Sequence, residues 1–216
     1  LDHFIRTIIS MKKEYRWWHR LRASLPRLHH RRGYGIHSPF AFTWVTEVIY
    51  NSSAYYAYDA LSELRPTTTG HLNEKDDRLL FRLANACQAH HIILIGNIGH
   101  REELYLKAGR TTAIVERKEK ITEEEKLFRP NSLIYCASPE FLPTHIESGR
   151  PQLLSQEESG SILFVVHNIH RDSTATSLWE NFYCHPAVSI SFDLYRFGIA
   201  FLAPRFNKQH YTIHYY

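Results

Sequence analysis

The sequence predicts an α/β fold: a mostly parallel sheet with an antiparallel edge, preceded by a helical extension. Three observations carry this. Ile92–Ile95, Leu133–Cys136 and Ile162–Val166 are short, continuous apolar runs, the mark of strands buried on both faces. Segments with helical spacing alternate with them, as a parallel sheet requires. A strand-rich tail follows and supplies the antiparallel part. The 216 residues are 44% hydrophobic and 13% aromatic, enough for a real core and against wholesale disorder.

In chain order, residues 3–22 carry Phe4, Ile8, Met11, Tyr15, Trp18 and Leu21 near helical spacing, with Arg and Lys between them. Residues 1–32 hold nine Lys/Arg against two acids, while the remainder holds 17 against 20. The basic character of the chain therefore belongs to this arm. A basic amphipathic helix suits an anionic membrane surface or nucleic acid, or else docks on its own domain. Ser38-Pro39 is a helix start, with Ser as N-cap and Pro at the first position, and Phe40–Tyr50 continues it. A helix is expected around Tyr58–Leu64, a loop over Pro66–Gly70, and a further helix over Asn73–Ala89. These divide the chain into the arm (1–32), a helical extension (33–90) and a sheet domain (91–216).

In the sheet domain the first strand, Ile92–Ile95, ends at Gly96. Arg101–Ala108 is helical, and a second strand, Thr112–Val115, ends at Glu116. Glu119–Phe128 reads as a charged helix, Leu133–Cys136 as the third strand, and Pro139–Glu158 as helical only at its start. Ile162–Val166 is the fourth strand and Ser173–Tyr183 a helix. Val188–Leu194, Gly198–Leu202 and Tyr211–Tyr216 are the late strands.

In open sheets of this kind ligands bind at the carboxyl ends of the central strands. After the first strand stands Gly96-Asn97-Ile98-Gly99-His100, where glycine lets backbone approach a cofactor. Glu116 follows at the spacing of an acid that accepts from ribose hydroxyls. After the fourth strand come His167, Asn168 and His170, of which the two imidazoles are candidate bases. A cofactor-free sheet also accommodates two glycines and one acid, so both readings stand at this point.

Several chemistries are disfavoured. Cys87, Cys136 and Cys184 have no metal-ligand or redox spacing and read as free thiols of a reducing compartment. Of the fifteen histidines, the pairs His29-His30 and His90-His91 lack the spacing that puts two ligands on one helix face, so no metal site is expected. No nucleophile-elbow pattern occurs. No apolar run is long enough to span a bilayer, and the first residues lack a signal-peptide pattern. The expectation is a cytoplasmic protein.

Arg32–Phe42 (RGYGIHSPFAF), Val45–Tyr50 and Tyr55–Tyr58 resemble the N-terminal region of a family of class I S-adenosylmethionine-dependent methyltransferases common in Bacteroidetes. The tail agrees, through Leu178-Trp179-Glu180, His185-Pro186, Ser191–Leu194, Phe197–Phe201 and Lys208–Ile213. The resemblance implies a Rossmann-like methyltransferase sheet with S-adenosylmethionine as cofactor. It implies that Gly96, Asn97 and Gly99 line the cofactor and that Glu116 holds its ribose; a methyltransferase built this way would have His167 or His170 as its catalytic base.

The middle of the chain departs from the family pattern E-L-G-T-S-x-G-x-S-T-L-Y-L. The motif acid is Leu94 here, and the second glycine is His100, whose imidazole would block the cofactor's path. Ala137 stands in place of an aspartate after the central strand, and His167-Asn168 in place of an acidic pair. Only about 16 residues separate Glu116 from Leu133, so a strand-helix unit is missing. Losing an edge strand breaks one hydrogen-bonded ladder and losing a central strand breaks two, so Leu133–Cys136 is expected to be central. Three functions follow as expectations: a methyltransferase with an unidentified acceptor, a non-catalytic scaffold or partner-binding protein (a homodimer included) that has lost the cofactor, and a membrane or nucleic-acid binder acting through residues 1–32.

Overall fold

The computed structural model describes residues 35–121, 129–143, 161–203 and 205–215. The basic arm, most of the helix expected over Glu119–Phe128, and the segment after Pro143 lie outside the described residues.

The extension begins as expected. Ser38 caps helix α1 (Pro39–Thr43), its hydroxyl accepting from the Ala41 N–H at 3.3 Å, with Pro39 at the first turn. The chain then widens into a π-helical segment, Trp44–Ile49. Arg82, 6% exposed, donates to the carbonyls of Val48 (2.7 Å) and Ile49 (3.2 Å) and to the Tyr215 hydroxyl (3.3 Å). Those carbonyls end a helix and need a donor when buried. One arginine thus joins the extension to the C-terminal tail. Helix α2 spans Tyr58–Leu64 and α3 spans Glu74–Cys87, the latter capped by the Asn73 side chain.

The sheet has seven strands: β1 (His91–Ile95), β2 (Ile114–Lys118), β3 (Ser132–Cys136), β4 (Ile162–His167), β5 (Ile190–Asp193), β6 (Phe197–Leu202) and β7 (Gln209–Thr212). Their order is β2-β1-β3-β4-β6-β5-β7. Helix α4 (His100–Gly109) links β1 to β2, and α5 (Ser173–Cys184) follows β4. Every pairing is parallel except those of β6 with β4 and β5. The sheet is therefore mostly parallel and Rossmann-like, with its antiparallel strand toward the β7 edge.

Burial follows strand position. Nearly all of β1, β3 and β4 is buried, whereas β2 on the edge is largely half-exposed. One sheet face, carrying Ile92, Leu94, Leu133 and Leu163, packs against the extension and α4; the other, carrying Ile93, Ile134, Phe164 and Val166, packs against Trp179 and Phe182 of α5. Strand β3 pairs with both β1 and β4. It is the central strand, as expected. Among the described residues no strand lies outside β2.

Two strands need correction. The second strand is Ile114–Lys118, not Thr112–Val115, and Glu116 pairs with Ile93 in mid-strand. The run Glu116-Arg117-Lys118 does not look like a strand. An edge strand carries it because one of its sides faces water. The last strand also ends earlier than expected, at Thr212. Among the described residues no helix is long and apolar enough to cross a membrane.

Candidate functional site

The order of strands reverses between β1 and β3, since the chain leaves β1 to one side for β2 and to the other for β3. A crevice belongs at such a point, beyond the carboxyl ends of the strands. A cleft of 1050 Å³ lies there. Asn97 and Ile98 after β1, Ala137 and Ser138 after β3, His167 and Asn168 at the end of β4, and Tyr195 and Arg196 of the β5–β6 hairpin all border it. A smaller pocket of 380 Å³ lies at the ends of β1 and β2, bordered by Gly96, Asn97, Lys118 and Glu119. Phe141 borders both.

The structure brings His167 and His170 together on the cleft. His167 closes β4, is 8% exposed, and its ring lies 5.0 Å from that of Phe197. Burial pushes its pKa down to about 4, helped by the neighbouring Arg196 guanidinium and, less, by His71. It is a neutral imidazole at neutral pH. His170 Nε2 lies 2.7 Å from Asp193 Oδ2, and its Nδ1 lies 3.1 Å from the Thr176 hydroxyl. Tyr195 lies against its ring, with centroids 5.4 Å apart.

Two residues here adopt left-handed backbone without being glycine: Asn168 (φ 61) and Tyr195 (φ 71). Such conformations cost of order 1 kcal/mol or more and persist where their surroundings fix them. The fixings are visible. The Asn168 N–H donates to the Arg196 carbonyl at 2.7 Å, and the Tyr195 N–H donates to Asp193 Oδ1 at 2.7 Å. Arg196 also ion-pairs with the buried Asp76 of α3 at 2.6 Å. On the rim, Glu140 pairs with Arg171 and accepts from the Ser138 hydroxyl at 2.6 Å.

The glycine turn is arranged differently. Gly96 has φ +91, a value that favours glycine. A β-carbon there would stand 2.5 Å from Phe141 Cε2, so the phenyl ring rests directly on the glycine. Phe141 belongs to the short 3₁₀ turn Pro139–Phe141 after β3. Gly99 caps α4, but a β-carbon there would stand 2.6 Å from Gly70 Cα and 2.9 Å from the Thr69 carbonyl oxygen. The extension thus packs onto the start of α4. The Arg101 N–H donates to the Thr69 carbonyl at 2.8 Å, and the buried Glu102 accepts from the His71 N–H at 2.5 Å. Arg101 also pairs with Asp77 at 3.0 Å and donates to the Leu72 carbonyl at 2.7 Å.

Glu116 does not reach this turn. It lies three residues before the level of Gly96 and faces Arg129 at 3.4 Å. The acid beside the turn is Glu119, next to Lys118, whose carbonyl accepts from the Gly96 N–H at 3.0 Å. His100 is exposed at the first position of α4 and borders neither cavity. It is not the obstruction that the sequence suggested; Phe141 is. Sequence reasoning also missed Asp193 and Arg196. Asp193 stood inside a family motif, with no local sign that it would meet His170.

S-adenosylmethionine can be tested against this geometry. The surface of Gly96 is taken by Phe141 and that of Gly99 by Gly70. The motif acid is replaced by Leu94, 1% exposed in the core. In this arrangement the residues do not fit the cofactor. Among the described residues no three His, Cys, Asp or Glu side chains converge as a metal site.

No family model matches the chain, and no curated protein matches it. Solved structures do. An O-methyltransferase from Bacillus cereus, solved with SAH, is similar over 74% of this chain and 96% of its own, at 12% identity and TM-score 0.41. The O-methyltransferase TomG from Streptomyces achromogenes, involved in tomaymycin synthesis and solved with SAM, is similar over 70% of this chain and 91% of its own, at 13% identity and TM-score 0.36.

Proposed function

We propose that this chain is a methyltransferase-type scaffold that has closed its cofactor seat and works through the neighbouring cleft as a non-catalytic binding protein. The Phe141 ring on Gly96 carries the reading. A glycine with positive φ after the first strand is where backbone meets a nucleotide-type ligand in such sheets. Here that approach serves internal packing. The sheet order and the family motifs at both ends of the chain support the methyltransferase type. The 1050 Å³ cleft, with its fixed polar groups, supports a retained binding role.

Calorimetry with S-adenosylmethionine and S-adenosylhomocysteine tests this. The expected result is no heat of binding at millimolar ligand. Micromolar affinity for either compound would sink the reading.

One observation favours a second reading, an active methyltransferase acting on an unidentified acceptor, with His167 or His170 as base. Glu119, Gly96 and Asn97 surround the 380 Å³ pocket, so an acid does stand at the end of β2. The same titration separates the two. Residues 1–32 carry the third reading, contact with an anionic surface; salt-sensitive binding to anionic vesicles or nucleic acid, lost on deleting those residues, tests it.

A further inference from the structure

We propose that Phe141 is an internal plug: among the described residues it is the side chain whose ring lies on Gly96 and so keeps a nucleoside from the backbone at the ends of β1 and β2. The inference rests on the closed-seat reading and adds that cutting back this ring reopens the seat, and to which class of ligand. Phe141 borders both the 380 Å³ pocket and the 1050 Å³ cleft. Asn97 borders both as well, so the two adjoin along Asn97 and Phe141; of these the Phe141 ring is the one that rests on Gly96, and cutting it back opens the two spaces to each other there.

The turn carrying the plug is pinned. The Phe141 N–H donates to the Ser138 carbonyl at 3.2 Å, and the Leu142 N–H donates to the Pro139 carbonyl at 3.0 Å. Glu140, between them, is held by Ser138 and by Arg171. The backbone thus keeps its place when the ring is cut back. The groups around the opened space suit a nucleoside. Glu119 offers a carboxylate to a ribose diol, Asn97 offers amide donors and acceptors, and Gly96 offers backbone without a β-carbon.

The same geometry limits the ligand. The start of α4 remains covered by Thr69–Gly70, and Leu94 supplies no charge for an amino group. The opened site therefore gains nothing from an amino-acid tail. An adenosine thioether without that tail, 5′-methylthioadenosine, binds it as well as S-adenosylhomocysteine does.

The test is calorimetric titration of both compounds into the wild-type chain, Phe141→Ala, Phe141→Leu and the double variant Phe141→Ala/Glu119→Gln. Thermal melts report whether each variant is folded. Phe141→Leu keeps apolar packing against the core beneath this face of the sheet and guards against loss of the fold in the alanine variant. The expected result is a gain of at least about tenfold in affinity for both compounds in the Phe141 variants, equal between compounds within about threefold, and reduced again by Glu119→Gln. If folded Phe141 variants stay as silent as the wild-type chain, the plug is overturned and the closed-seat reading stands. If the wild-type chain binds as tightly as the variants, both are overturned. If S-adenosylhomocysteine binds the variants at least tenfold tighter than the thioether, the α4 end is open and the proposal fails in that form.

Discussion

The turns after β1 and after β4 end parallel strands at the same side of the sheet, and they use the same backbone trick for opposite ends. After β1, left-handed backbone falls on Gly96, which tolerates it freely, and the space gained is filled by Phe141. After β4 it falls on Asn168, and across the cleft on Tyr195, neither of which is glycine. Those two are held by hydrogen bonds to Arg196 and Asp193 and border open space. A glycine motif marks where backbone is able to approach something; it does not say what. In this chain the partner is the chain itself. Strain that neighbouring groups actively hold is the better guide, and it points to the β4 and β5 side.

This contrast can be broken at the closed turn, where the largest effect is expected. Gly99→Ala places a methyl against the backbone of Thr69 and Gly70, which cannot rotate away as a side chain would. A loss of about 3 kcal/mol in unfolding free energy follows, the cost of overpacking a site walled by backbone. A urea midpoint within experimental error of the wild-type value would show that the extension is not fastened there.

A smaller effect sharpens the open side. The folded-state pKa of His167, about 4, lies below the ordinary 6.5. The unfolded chain therefore binds a proton that the folded chain refuses. The stability this confers is fully present above pH 6.5 and is lost as pH falls from 6.5 toward 4. Between pH 7 and pH 4.5 the loss amounts to about 2 kcal/mol. The difference in stability between the wild-type chain and His167→Gln, measured at both pH values, isolates it. A pH-independent difference would show that the folded chain takes up this proton as readily as the unfolded one, so that His167 is not shielded from water.

The smallest effect is expected at the rim. Glu140 and Arg171 are each about half exposed (side chains 48% and 45%), and a solvated pair of this kind contributes little. Glu140→Ala should change the urea midpoint by less than the equivalent of about 0.5 kcal/mol. A larger loss would make the rim part of the fixed framework of the cleft rather than its surface.

The sequence by itself determined which strands exist and their order along the chain, though not the bounds of β2 and β7, and most of the described helices. Continuous apolar runs fixed β1, β3 and β4, because a strand covered on both faces has no position for a polar residue. Ser38-Pro39 fixed the start of α1; the count of residues between Glu116 and Leu133 showed a missing strand-helix unit, and the cost of breaking two ladders rather than one placed β3 centrally. These are local or near-local demands of backbone hydrogen bonding and burial, and they are written where they act. The fate of the glycines was decided elsewhere. Phe141 reaches Gly96 from beyond β3, Gly70 reaches Gly99 from the extension, and Glu119 replaces Glu116 at the turn because an edge strand runs further than its charged residues suggest. Asp193 likewise meets His170 only because β6 carries the β5–β6 hairpin back beside β4. What occupies the space beside a residue depends on which distant segments the packed sheet brings there, and no local periodicity records it.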